Sequence, residues 1–142
     1  VHSIDRLKIA IRINQHLEDN KKAAERNKVK DLINICLQVN INNEPTKSGF
    51  SIAEMDHAVE QILHLKHLKL RGLMAIPEKS TEITIQRQNF SHLRKLLEQL
   101  NVKFSLQMDT LSMGMSDDMQ AAIMEGATIV RVGTALFGKR EA

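Results

Sequence analysis

The fold is indicated by the run INICLQVNI at residues 33–41, which is apolar, rich in β-branched residues and typical of a buried strand. Ser51 and Glu54 form a capping box after it, which predicts a helix that ends near residue 67. The next apolar run, LRGLMAI at residues 70–76, is stopped by Pro77 and predicts a second strand. A strand, a helix and a further strand in this order indicate parallel strands joined by a right-handed crossover.

The alternation of strands and helices continues on both sides of this unit. An open doubly wound sheet and part of a (β/α)8 barrel both fit such a series, and four complete strand–helix units would be about half of a barrel. No linker rich in Gly, Ser or Pro divides the series, so we expect one domain. Strand patterns occupy residues 1–4, 104–108 and 128–132, and helix patterns occupy residues 6–16, 85–100 and 116–125.

The composition argues against several classes of function. With 20 Lys and Arg against 17 Asp and Glu, the net charge of +3 is too small for a chain of 142 residues to indicate a nucleic-acid partner. No apolar run approaches the roughly 20 residues of a membrane-spanning helix, so no membrane partner is expected. The single cysteine, Cys36, lies in an apolar run and predicts a buried thiol in a reducing compartment, which we expect to be the cytoplasm.

Two glycine-containing stretches combine features of an anion site. TLSMGMSDD at residues 110–118 places Ser112 and Gly114 before a predicted helix, whose first N–H groups and dipole favour an anion. RVGTALFG at residues 131–138 follows the last predicted strand, and there Gly133 and Thr134 offer close backbone approach, an N–H group and a hydroxyl. Barrels commonly bind phosphate in the loops after their last two strands. The residues alone leave two alternatives open, a phosphate site and a pair of ordinary capped turns.

Arg131 ends an otherwise apolar strand and has two possible roles. It could pair with a carboxylate such as Asp109, or it could be the charged partner of a ligand's ring nitrogen or carboxylate. Arg71 opens a strand and is expected in a surface ion pair. The six histidines show no metal-ligand spacing, so no metal site is predicted. The chain has no tyrosine, and neither its cysteine nor a histidine is placed as a general base, so no catalytic residue is predicted.

The same stretches resemble the signatures of a known family. The chain is similar from end to end to the pyridoxal-phosphate homeostasis protein family, and the motif SMGMSDD is too specific for chance to explain it. The resemblance implies a fold like the N-terminal barrel of alanine racemase. Residues 1–142 would then be the C-terminal part of a (β/α)8 barrel, about its last four to five strand–helix units, and incomplete in this chain. The matching stretches are residues 1–5, 38–41, 47–49, 70–77, 111–119 and 130–138.

The resemblance also implies a cofactor and the residues that bind it. Ser112, Gly133 and Thr134 match positions that hold the phosphate of pyridoxal 5′-phosphate, and Arg131 matches the position that faces the pyridine nitrogen. An arginine there keeps that nitrogen unprotonated and weakens the ring as an electron sink. Members are regarded as non-catalytic carriers or regulators in vitamin B6 and amino-acid homeostasis. The alternative is a racemase- or decarboxylase-like enzyme that uses the same cofactor.

The family's cofactor-binding lysine has no counterpart in this chain. That lysine belongs to an early AVSKT-like motif, and Lys47, Lys66 and Lys69 do not match it. The chain also starts with Val1 rather than Met. We therefore expect a piece of a longer protein, with the lysine upstream. The expected partners are pyridoxal phosphate or a phosphate ion, and either a second copy of the chain or a complementary N-terminal fragment.

Overall fold

The computed structural model describes residues 1–23 and 32–138, with only the backbone described at residues 21–23 and 134–135. Its four strands form one parallel sheet in the order β1-β2-β3-β4, and helices alternate with them, which confirms the predicted α/β class. Among the described residues, no helix is long and apolar enough to cross a bilayer. The elements are α1 (Leu7–Ala23), β1 (Ile33–Val39), a 3-10 turn (Ile52–Glu54), α2 (Met55–Leu63), β2 (Leu68–Ala75), α3 (Ile83–Phe104), β3 (Thr110–Met115), α4 (Met119–Met124), β4 (Ile129–Arg131) and α5 (Thr134–Phe137). The predicted polar stretch at residues 18–30 lies partly outside the described residues.

The N-terminal segment lies beside β1 and extends the sheet. The strand predicted at residues 1–4 is reduced to a single parallel bridge between Ile4 and Leu37. The Cys36 N–H donates to the Val1 carbonyl at 2.9 Å, and the Gln38 N–H donates to the Ile4 carbonyl at 2.9 Å. These bonds fix the segment against β1, on the edge that does not pair with β2.

The strand predicted at residues 104–108 is wrong, because α3 continues through Phe104. Phe104 lies four residues after Leu100 and prolongs the apolar stripe of the helix, so it packs against the core instead of starting a strand. Ser105 then adopts the left-handed conformation, with φ of 52°, and ends the helix. The strand begins at Thr110 instead. Most of the expected anion loop at residues 110–118 is therefore part of β3.

The core lies between the sheet and the helices that cover one of its faces. Gly72 allows β2 to approach β3 closely, since a Cβ atom there would lie 1.7 Å from the Thr110 carbonyl oxygen. Cys36 is buried, as predicted from its apolar run. The largest fully buried side chains include Ile35, Leu37, Val59, Ile62, Leu73, Phe90, Leu93 and Met113.

Candidate functional site

Arg131 at the end of β4 reaches across the sheet to the end of β2. Its Nη1 donates to the Ser112 carbonyl at 3.3 Å and to the Ser112 hydroxyl at 3.2 Å, and its Nη2 donates to the Ala75 carbonyl at 2.8 Å. The guanidinium thus ties three neighbouring strands together. Asp109 is not its partner, because that carboxylate pairs with Arg71 at 2.6 Å. The Arg71 hydrogen bond lowers the pKa of Asp109 to about 2.

The Arg131 guanidinium keeps part of its hydrogen-bonding capacity. A guanidinium has five N–H donors and no acceptor. In the described part of the chain, nothing accepts from Nε or from the second hydrogen of Nη2. Burial lowers the pKa of Arg131 and the Asp118 carboxylate opposes that shift. Because arginine stays protonated in proteins, the site presents a fixed cation with directed donors to any acceptor that binds beside it.

Ser112 lies within β3 and is fully buried. Its hydroxyl oxygen is 3.2 Å from Arg131 Nη1 and 3.1 Å from His2 Nδ1. The structure therefore brings Ser112 and Arg131 together, as the sequence predicts for two parts of one site. The phosphate contact expected of Ser112 remains a prediction, since the hydroxyl here faces two protein groups.

His2 is the contact that sequence reasoning missed. It comes from the N-terminal segment and meets a serine 110 positions later in the chain. The sequence signal for this contact is a histidine in the first strand pattern of a parallel series, at residues 1–4. Burial lowers the pKa of the His2 imidazole, and the positive charge of Arg131 acts in the same direction.

Gly114 shapes the turn between β3 and α4. Its φ is +92°, and a Cβ atom there would lie 2.5 Å from the Ala122 Cβ, so the glycine lets α4 pack against the strand. The helix predicted from Ser116 is wrong at its start, because α4 begins at Met119 with Asp118 as the N-cap. The Asp118 carboxylate accepts the Met115 N–H at 2.6 Å, which closes a turn before the helix.

Gly133 and Thr134 follow Arg131 directly and form the start of α5. The Gly133 carbonyl accepts the N–H groups of Leu136 and Phe137, each at 2.9 Å. Apart from its two chain neighbours, no atom of the described residues lies within 4 Å of the position of a Cβ on Gly133, so its backbone is open to a ligand. The two predicted loops leave adjacent strands at the same end, because Met115 is the register partner of Arg131.

A cavity of about 400 Å³ lies beside the first of these loops, at residues 115–118. Its size suits a small ligand, and Met115 links it to the strand ends that carry Arg131. No group of three or more His, Cys, Asp or Glu side chains that could hold a metal ion occurs in residues 1–23 and 32–138. The cavity is lined by Lys79, Ser80, Thr81, Gln86, Met115, Asp117 and Asp118.

Comparison with known proteins identifies a family. Residues 2–141 match the model of the alanine racemase N-terminal domain. The chain is 50% identical over 141 residues to a pyridoxal phosphate homeostasis protein of Pseudomonas aeruginosa and 41% identical over 140 residues to one of Escherichia coli. Each alignment covers 99% of this chain and 56% of the relative, so the chain spans about half the length of the curated relatives it matches.

Solved structures give the same fold. PipY of Synechococcus elongatus with pyridoxal phosphate bound matches with a TM-score of 0.80 and 30% identity, over 96% of this chain and 59% of PipY. A diaminopimelate decarboxylase of M. jannaschii matches with a TM-score of 0.70 over 94% of this chain and 38% of the enzyme, and at 13% identity it shows the fold alone. The parallel sheet is therefore part of a barrel, and the open doubly wound alternative is wrong.

Proposed function

Because this chain belongs to the alanine racemase N-terminal domain family, we propose that it supplies the phosphate and pyridine-ring contacts of a pyridoxal 5′-phosphate site and catalyses no reaction itself. The role would be that of a carrier or regulator in vitamin B6 and amino-acid homeostasis. Two observations on relatives support it: the name pyridoxal phosphate homeostasis protein and the cofactor bound to PipY. The observation in this chain that carries the proposal is the guanidinium of Arg131, which is held by the ends of neighbouring strands and keeps N–H donors for a ligand.

The donor set of Arg131 fits the ring of this cofactor. A pyridine nitrogen is an acceptor, and the guanidinium can donate to it without giving up its proton. Pyridoxal phosphate supplies an electron-withdrawing ring, and that capacity is weakest when the ring nitrogen is unprotonated. Arg131 would thus bind the ring and at the same time weaken its capacity to stabilise a carbanion.

The phosphate contacts are assigned to the two loops beside Arg131. Gly133 and Thr134 would offer backbone N–H groups and a hydroxyl, and Gly114 would contribute from β3, where the buried Ser112 hydroxyl holds Arg131. The lysine that binds the cofactor covalently would belong to the part of the relatives that this chain does not span. A phosphate ion alone would use the same contacts. The cytoplasmic location inferred from the sequence stays a prediction.

The test is the affinity for pyridoxal phosphate, measured by equilibrium dialysis with Arg131→Ala and Arg131→Gln. A hydrogen bond to a charged group contributes about 1.5–3 kcal/mol, so we expect each variant to bind at least about tenfold more weakly. Gln keeps an N–H donor but has no positive charge and a shorter side chain, so it tests the contribution of the charge. Circular dichroism checks that both variants fold. Arg71→Ala removes a half-buried arginine that pairs with Asp109 and is the matched control, with affinity expected within about twofold of wild type. Equal affinity of wild type and both Arg131 variants would refute the proposal.

A further inference from the structure

Arg131, Ser112 and His2 form a hydrogen-bonded chain in which one oxygen serves two neighbours. Arg131 Nη1 can only donate, so the Ser112 hydroxyl oxygen must be the acceptor at 3.2 Å. The hydroxyl has one hydrogen of its own, and His2 Nδ1 lies 3.1 Å from the same oxygen. With Ser112 fully buried, that hydrogen has His2 as its nearest described acceptor.

We propose that His2 is a positioning residue for Arg131 and that it acts only when it is neutral, with its proton on Nε2. In that tautomer Nδ1 accepts the hydroxyl hydrogen of Ser112, which turns a lone pair of the serine towards the guanidinium. Both hydrogen bonds are then donated in the same direction, from Arg131 to Ser112 and from Ser112 to His2. Since the inference concerns the ring contact of Arg131, it rests on the proposed function.

Protonation of His2 reverses the direction of its hydrogen bond with Ser112. An imidazolium donates from Nδ1, so two cations would share the Ser112 oxygen and the serine hydrogen would lose its acceptor. Like charges this close repel each other strongly when partly buried, and the flexible arginine is the group that can move. Arg131 would lose its fixed orientation, and the ring contact would weaken.

The surroundings of His2 favour the neutral form. The charged groups around it are Arg131 on β4, which interacts with the Asp118 carboxylate, and Arg71, whose charge is balanced by Asp109. A cavity of about 210 Å³ beside His2 is also lined by the buried Cys36. Burial lowers the pKa of His2, and the positive charge of Arg131 acts in the same direction. Both effects favour the neutral imidazole over the charged form.

The experiment compares wild type with His2→Asn, which can accept the Ser112 hydrogen but does not titrate. Affinity for pyridoxal phosphate is measured between about pH 7.5 and about pH 5, the range in which histidines change charge. Acid changes the ligand equally for both proteins, so the difference between them isolates His2. We expect wild type to lose about tenfold more affinity than His2→Asn, which corresponds to a coupling of about 1.4 kcal/mol between the charge of His2 and ligand binding. His92→Asn, at an exposed histidine, serves as control and should follow wild type.

A measurement without ligand completes the test. Nitrogen NMR of the imidazole should show the Nε2–H tautomer, and Ser112→Ala should raise the pKa of His2, because the neutral ring loses its donor. Parallel pH profiles for wild type and His2→Asn would overturn the inference while leaving the proposed function intact, as would an Nδ1–H tautomer. Absence of pyridoxal phosphate binding at every pH would refute the proposed function and the inference with it.

Discussion

At the scale of single residues, the glycines predicted to bind the cofactor have different physical roles. Gly114 has a φ of +92° and no room for a Cβ beside Ala122, whereas Gly133 has open space around it. We expect Gly114→Ala to lower the free energy of unfolding by about 1–3 kcal/mol, through backbone strain and a clash with α4. Gly133→Ala is the matched control and should change it by less than about 1 kcal/mol. Urea unfolding measures both.

The two glycine variants also separate packing from binding. If Gly133 lets the backbone approach a phosphate, Gly133→Ala should weaken pyridoxal phosphate binding although the fold is unchanged. A Gly114→Ala protein as stable as wild type would contradict the packing role, whatever its affinity.

The sequence predicted part of the site and could not predict the rest, for a definable reason. Ser112 and Arg131 belong to recognisable motifs on neighbouring strands, and the structure places them in contact. His2 is 110 positions from Ser112, and its contact depends on how the N-terminal segment lies against β1. Pairing and register of that kind come from long-range packing, which a local pattern does not contain.

At the scale of elements, the alternation was predictable and one boundary was not. The runs at residues 33–41 and 70–76 are largely apolar, and both form strands close to the predicted bounds. The run at residues 104–108 was misassigned because Phe104 satisfies the stripe of α3 as well as the start of a strand. Residues 110–115 contain serine and glycine and resemble a loop, yet pairing with β2 makes them a strand.

The contact between α3 and the end of α4 depends on a buried carboxylate. Glu125 is only 8% exposed and accepts from Arg87 at 2.8 Å and from Arg94 at 3.4 Å. We expect Glu125→Gln to lower the free energy of unfolding by about 1–3 kcal/mol, because an amide replaces a carboxylate held by two cations. Glu98→Gln is the control, since that exposed carboxylate pairs with Arg94 alone and should contribute less than about 1 kcal/mol.

The stability that Glu125 contributes should depend on pH, and the direction of that dependence can be predicted. The hydrogen bond from Arg87 is the largest cause that lowers the pKa of Glu125 in the folded state, and Arg94 adds to it. A carboxylate with a depressed pKa stabilises the fold above its unfolded pKa, about 4.3, and loses that contribution as the pH falls through the folded value. The stability difference between wild type and Glu125→Gln should therefore shrink below about pH 4. A difference that stays constant from neutral pH to about pH 3 would exclude this assignment.

At the scale of the whole molecule, the sheet is one side of a barrel. No described strand pairs with the outer edge of β4, and Leu136 and Phe137 beside it are 72% and 86% exposed. Open edges and apolar side chains of this kind favour association. We infer that the missing barrel strands or a second copy of the chain would cover them, in line with a chain that spans 56% of its relatives.

Covalent capture of the cofactor tests how much of the site these 142 residues hold. Lys69 lies near the start of β2, whereas the carbonyl that accepts from Arg131 belongs to Ala75 at the end of the same strand. Six residues of extended strand, about 20 Å, separate the two. Lys66 precedes that strand, and Lys47 lies in the loop after β1 within 3.9 Å of Glu44. None of the three is placed as the family's lysine is expected to be. We therefore expect borohydride reduction with pyridoxal phosphate to leave the mass of the chain at 16.1 kDa by intact mass spectrometry. A longer protein with the upstream strands should instead gain one reduced cofactor. A single adduct on Lys47 in the short chain would mean that the loop after β1 reaches the site, and would overturn the assignment of the lysine to the absent half.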